Sequence, residues 1–155
     1  MNKLLPRPAD NTYRGYRVAL WLFGILVLLK TIISVNSMIN ARGVATSADG
    51  VPLDTFGPEG ARAFVNLFAL LGLSNLVICL LCIVVLARYR ALVPLMFSLL
   101  LLQHLARKLI HQAMPTVTTG NPPASVINLV LLALMVAGLA LSLWSPGKSK
   151  ERNPQ

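Results

Sequence analysis

The sequence predicts an all-α membrane protein in which four transmembrane helices form an antiparallel bundle. Hydrophobic residues make up 55% of the 155 residues and charged residues only 12%, whereas a soluble domain carries about a quarter charged residues. Four apolar stretches reach the length of about 20 residues that crosses a hydrocarbon core of about 30 Å. Alternation of period two is absent from these stretches, so helices are expected rather than a β-barrel.

The four predicted spans cover residues 16–38, 63–87, 91–110 and 125–144, between basic tails at 1–15 and 145–155. Spans two and three are joined by little more than Arg88, Tyr89 and Arg90, which forces an antiparallel hairpin. The first connection is long and contains many turn-forming glycines and prolines. The third contains Pro115, Gly120 and Pro122, and its last residues are typical of a helix start.

The distribution of basic residues predicts that both termini lie in the cytoplasm. The predicted cytoplasmic side contains nine of the 14 basic residues: Lys3, Arg7, Arg14, Arg17, Arg88, Arg90, Lys148, Lys150 and Arg152. These residues are scattered at the ends of apolar segments, and the net charge of +9 therefore does not indicate a nucleic-acid surface. We expect a multi-pass protein of the bacterial cytoplasmic (inner) membrane, with the first span as an uncleaved anchor.

With this orientation, the polar residues of the spans converge on the outer leaflet. A charge at the bilayer centre costs about 2.5–3.5 kcal/mol, so such residues usually face protein or water. The pattern predicts a basic, outward-opening pocket that binds an anionic lipid or a small ligand. Its predicted ligand-binding residues are Lys30, Ser34, Asn66, Gln103, His104, Arg107, His111 and Asn128, with Asp54 and Glu59 as counter-charges from the first connection.

Simpler interpretations exist for several of these residues. Arg107 and Lys108 lie in the last turn of their predicted span, where their side chains can extend to the headgroups and anchor the helix. Lys30 has two further helical turns after it, which favours a side chain that faces protein. The alternative is that the Lys30 side chain extends along the helix to reach the membrane interface.

Catalytic and metal-binding arrangements are not expected. Cys79 and Cys82 have the spacing of a dithiol pair, but they lie in the inner half of span two, where small side chains suit helix packing. His104 and His111 are two helical turns apart and have no neighbouring carboxylate or cysteine in the span, so neither a metal nor an obligatory cofactor is predicted. Phosphate-binding loops and nucleophile elbows are absent from the sequence.

The layout resembles the DoxX-like group of small four-helix bacterial membrane proteins. The similar features are Gly24 and Lys30 in the first span, the long outer loop, the segment FALLGLSNL, the short basic turn and a histidine late in the third span. Family members usually carry an acidic residue near the second-span glycine, where this chain has Ser74 and Asn75. The resemblance implies an accessory subunit of a quinone-linked or oxidative-stress-related membrane complex.

Three functions follow as expectations. The first is a non-catalytic binding or accessory subunit, with membrane lipids and other membrane-protein subunits or a second copy as partners. The second is a redox-associated subunit that handles quinone at the same residues. The third is a homo-oligomeric transporter, since one four-helix chain needs further copies to line a path.

Overall fold

The computed structural model describes residues 11, 13, 15–114 and 123–144. Both predicted tails, apart from residues 11, 13 and 15, and the third connection at residues 115–122 lie outside the described residues. The long helices are α1 (Arg17–Ile39), α3 (Pro58–Arg88), α4 (Val93–Ala113) and α5 (Pro123–Leu143), with one short helical turn, α2 (Ala41–Gly43), after α1. The four long helices are long and apolar enough to cross a membrane, if the short turn before α4 is counted with that helix. This confirms the all-α membrane fold.

Two helices extend by three residues or more beyond their predicted bounds, into the first and third connections. Helix α3 begins at Pro58, five residues before the predicted start, because a proline is well accommodated at the first helical position and Glu59 complements the positive end of the helix dipole. Helix α4 continues to Ala113, three residues past the predicted end. His111 is therefore part of the helix rather than of the following connection.

Helix α1 is the central element of the bundle. It packs most extensively against α3 and also against α5, while α4 packs mainly against α5. Helices α3 and α4 are joined by a tight turn at Tyr89 and a 3-10 turn at Arg90–Leu92, yet beyond this turn they approach each other little. The helices are therefore arranged in the order α3, α1, α5, α4, and among neighbouring helices α3 and α4 are packed most loosely.

The core lies near the end of the bundle formed by Arg17, Arg88, Val93 and Leu143, which we call the terminal end. Phe23 of α1 and Phe97 of α4 meet there edge to face, with ring centroids 4.9 Å apart and the planes inclined by 65°. Both rings are fully buried, together with Leu26, Leu100 and Met135. Edge-to-face packing matches the charge distribution of the two rings, so this pair fixes α1 against α4.

The first connection folds over the opposite end of the bundle, formed by Ile39, Pro58 and Ala113, which we call the loop end. After α2 it forms a π-helical turn at Val44–Ala48 and a 3-10 turn at Leu53–Thr55. Ala45 and Leu53 are buried, so the segment is packed against the helices rather than extended from them. Gly50 has a φ of 68°, a backbone conformation that favours glycine, and it turns the chain between the two short elements.

Candidate functional site

The structure brings Lys30, His104 and Arg107 near one another between α1 and α4. The three residues, which we call the basic cluster, are close enough for the charges of Lys30 and Arg107 to act on each other and on His104. Lys30 lies 13 residues after Arg17, or about 20 Å from the terminal end at about 1.5 Å per residue. It is half-buried and makes no hydrogen bond or ion pair with any residue that the structure describes.

An amide pair links α3 and α4 near the middle of both helices. Gln103 Nε2 donates a hydrogen bond to Asn75 Oδ1 at 2.9 Å, which links α4 to α3. The second amide oxygen, Gln103 Oε1, is buried without a hydrogen-bond partner among the described residues. A buried acceptor of this kind is costly unless something donates to it.

The carboxylate that lies near the basic cluster is Asp49, in the packed first connection. Burial raises the pKa of the Asp49 carboxyl above its ordinary value, and the charges of Arg107 and His111 oppose this rise. Asp49 was not among the predicted counter-charges. The two predicted counter-charges lie elsewhere: Asp54 lines a separate cavity, and Glu59 is exposed in the first turn of α3.

This separate cavity, of about 760 Å³, lies at the loop end between the end of α1 and the start of α3. Its polar lining includes Arg42, Asp54, Arg62 and Asn66. Asn66 precedes Asn75 by nine residues on α3, so it lies about 13 Å farther along the helix than the amide pair. The predicted residues Asn66 and Asp54 thus belong to this cavity and are separated from Lys30.

Two further predicted residues have other surroundings. Ser34, about one turn after Lys30 on α1, is buried where α1 crosses α3 close to Gly72. Asn128 is exposed on α5. The predicted set is therefore divided: Lys30, Gln103, His104, Arg107 and His111 lie on or near one polar region, and the other members do not.

Asn75 and Asp49 were missed as site residues for different reasons. Asn75 is a polar residue in the middle of a span and on the same stripe as Cys79 and Cys82. The sequence therefore contained enough information to include it among the site residues. Asp49 lies in a connection with two other acidic residues, and only the folding of that connection distinguishes it.

The cysteines are both free and buried, and Cys82 is part of the central hydrophobic cluster. This burial agrees with the packing role predicted for them. Among the described residues, no group of three or more histidine, cysteine, aspartate or glutamate side chains is placed to hold a metal ion.

Replacing Asp49 with asparagine should change the pH dependence of stability. Because burial raises the pKa of Asp49, the folded protein holds this proton more tightly than the unfolded chain, and the wild type loses stability as the pH rises above about 4. We expect Asp49→Asn to be slightly more stable than the wild type at pH 7 and equal to it below about pH 4.

Thermal unfolding in detergent across this pH range measures the effect, with Asp54→Asn as the matched control on the same connection. A variant less stable than the wild type at pH 7 would mean that attraction to Arg107 and His111 outweighs the cost of burial.

Comparison of the chain with models of protein families, with curated proteins and with solved structures finds no match. The resemblance to the DoxX-like group therefore stays a prediction based on the sequence features.

Proposed function

We propose that this chain is a non-catalytic binding or accessory subunit of the bacterial cytoplasmic membrane, and that its basic cluster binds an anionic group. The observation that carries the proposal is Lys30 in the middle of a membrane helix, without a hydrogen bond or ion pair to any described residue. A charge at this depth is costly in hydrocarbon, and charged residues within membrane spans are characteristically functional. An anion supplies the partner that the described residues do not.

The balance of charge supports an anionic ligand. Lys30 and Arg107 are two cations, and the nearby Asp49 is a single carboxylate whose pKa is raised by burial. A carboxylate or phosphate bound between Lys30 and Arg107 would neutralise the excess positive charge. Since arginine binds such groups with two parallel hydrogen bonds, Arg107 is the residue suited to orient the ligand.

The packing of the helices supports entry from the lipid. Apart from the Gln103–Asn75 hydrogen bond, helices α3 and α4 approach each other little beyond their turn, and Arg107 is exposed on α4. A ligand with an apolar tail can therefore reach the basic cluster from within the bilayer. This combination favours an amphiphilic acid, whose tail remains in lipid while its charged group binds Lys30.

The free acceptor at Gln103 favours quinone handling as a second candidate. A quinone carbonyl would accept hydrogen bonds from Lys30 or His104, and the hydroxyl of the reduced form would donate to Gln103 Oε1, which has no partner among the described residues. The redox-associated role implied by the DoxX-like resemblance would require this second mode of binding.

Titration of the purified protein with oleate and with decylubiquinone tests both candidates. We expect oleate to bind the wild type and to bind Lys30→Met about tenfold more weakly, the loss of about 1.4 kcal/mol typical of one charge-assisted hydrogen bond. Arg88→Met is the control, because it removes a cation from an exposed position at the terminal end, away from the basic cluster, and should leave oleate binding unchanged.

A second variant keeps the test informative if Lys30→Met does not fold. Asp49→Asn removes the competing carboxylate and should strengthen oleate binding, whereas Asp54→Asn should not. Equal oleate binding by the wild type and Lys30→Met would overturn the proposal, and decylubiquinone binding without oleate binding would favour the quinone alternative.

A further inference from the structure

A second cavity, of about 860 Å³, lies at the terminal end, on the side of α1 that faces the last turns of α3. Its wall is formed largely by apolar residues of α1, from Leu20 and Trp21 to Leu28, and by Leu86 of α3. Trp21 is 76% exposed and Leu28 is 60% exposed, so much of this apolar wall is uncovered. We call this cavity the terminal groove.

Two arginines lie at the terminal-end side of the groove. Arg17 is the first residue of α1, and Arg90 follows the turn that ends α3. Arg90 Nε donates a hydrogen bond to the Leu86 carbonyl oxygen at 3.2 Å, which orients its guanidinium and leaves its two terminal nitrogens for another acceptor. Arg17 makes no hydrogen bond or ion pair with a described residue, and the described residues that line the groove include no acidic side chain.

Gly24 keeps the groove open in its middle. A Cβ atom at this position would meet only Leu86 Cδ2, at 3.7 Å, which is ordinary contact. Packing of α1 against α3 therefore does not require a glycine here. A larger side chain at this position would occupy the groove itself.

Tyr13 and Tyr16, which precede α1, are hydrogen-bonded to α5 beside the groove. The Tyr13 hydroxyl donates a hydrogen bond to Ser142 Oγ at 3.0 Å, and the Tyr16 backbone N–H reaches the Leu141 carbonyl oxygen at 3.5 Å. Burial raises the pKa of the Tyr13 phenol, against the opposing effect of its hydrogen bond to Ser142, so the phenol remains a donor at neutral pH. One wall of the groove is thus held to α5.

We propose that the terminal groove binds an anionic phospholipid, with its phosphate on Arg17 and Arg90 and one acyl chain along Trp21, Gly24 and Leu28. Arginine is well suited to phosphate, and basic pockets between membrane helices are typical sites for anionic headgroups. The volume and the mainly apolar lining are those of a ligand site with a few polar groups that orient the ligand. This site is at the opposite end of the bundle from Arg107 and does not depend on the function proposed for the basic cluster.

Quenching of Trp21 by brominated lipids tests the proposal. The chain has two tryptophans, so a Trp144→Phe background leaves Trp21 as the single reporter within the groove. In vesicles of phosphatidylcholine doped with either brominated phosphatidylglycerol or brominated phosphatidylcholine, we expect the anionic lipid to quench Trp21 at the lower concentration.

The double variant Arg17→Gln/Arg90→Gln should weaken this preference for the anionic lipid about thirtyfold. Arg88→Gln is the matched control, because Arg88 is a neighbouring exposed arginine that does not line the groove. Gly24→Leu should reduce quenching by both brominated lipids, since its side chain fills the path of the acyl chain.

Three results would overturn the proposal. Equal quenching of the wild-type background by both lipids would show that the groove does not select an anionic headgroup. An equal loss of preference in Arg88→Gln would show that general surface charge, rather than the groove, attracts the lipid. Soluble glycerol phosphate should not compete, and competition by it would show that the arginines bind phosphate without the apolar wall.

Discussion

Replacing Gly138 with alanine is expected to lower the free energy of unfolding by about 1–3 kcal/mol, the usual cost of overpacking a tightly packed core. A Cβ atom at Gly138 would lie 2.4 Å from two ring carbons of Phe97. The Phe97 ring cannot move aside easily, because it is fully buried and packed edge to face on Phe23. Helix α5 must therefore move away from α4, or the pair of rings must be disrupted.

Gly24→Ala is the matched control, since its Cβ atom meets Leu86 only at an ordinary contact distance. This variant should be as stable as the wild type or up to about 1 kcal/mol more stable, because alanine favours a helix over glycine. Unfolding in mixed micelles, followed by circular dichroism, measures both variants. A Gly138→Ala protein as stable as Gly24→Ala would contradict the close approach of Gly138 to Phe97.

A double variant identifies the clashing partner. Phe97→Leu replaces the ring with a smaller side chain, so adding it to Gly138→Ala should cost less than Phe97→Leu costs in the wild type. The coupling energy between contacting residues is typically about 0.5–3 kcal/mol. Additive effects would mean that the alanine at position 138 clashes with something other than this ring.

Gly72→Val is expected to have the second large effect, a destabilisation of about 3 kcal/mol at the upper end of the overpacking range. A Cβ atom on Gly72 would lie 3.0 Å from the Met38 backbone nitrogen and 3.1 Å from the Ser34 carbonyl oxygen. These are backbone atoms, so they cannot move aside by a side-chain rotation. Two further methyl groups on this Cβ therefore require α1 and α3 to separate.

Gly60→Ala is the control on the same helix, because its Cβ atom would meet only Phe56 Cβ, at 3.8 Å. Close approach through a small residue is how helices associate in a membrane, where apolar surface gains little by leaving lipid. We therefore expect Gly72→Val to weaken the α1–α3 contact specifically. Unfolding in mixed micelles with the same stability as Gly60→Ala would contradict this interpretation.

The number and type of the long elements follow from the amino-acid sequence. Each apolar stretch is long enough to cross a bilayer, and inside lipid the backbone must satisfy its own hydrogen bonds, so four helices are the necessary result. The sequence also indicated Lys30 and His104 as unusual residues, because a polar side chain within a span is costly wherever it lies. These conclusions depend on composition and on position along one helix.

The tertiary structure alone decided which polar residues meet. Asp49 lies near Arg107 and His111 because the first connection folds over the loop end, and no periodicity in a connection predicts its path. Gln103 pairs with Asn75 because α3 and α4 place them at the same depth. Asn66 and Asp54 share the predicted leaflet with Lys30 but line a separate cavity, since depth along a helix does not determine which neighbour the residue faces.

The same distinction applies to the glycines. Gly24, Gly72 and Gly138 all lie inside membrane helices, and each costs its helix a similar amount of intrinsic stability. Their roles differ only through packing. Gly24 leaves a groove open, Gly72 allows the backbones of two helices to approach, and Gly138 accommodates an aromatic ring. The physical reason is that the bilayer dictates secondary structure from local sequence, whereas contacts between helices depend on the shapes of surfaces distant in the chain.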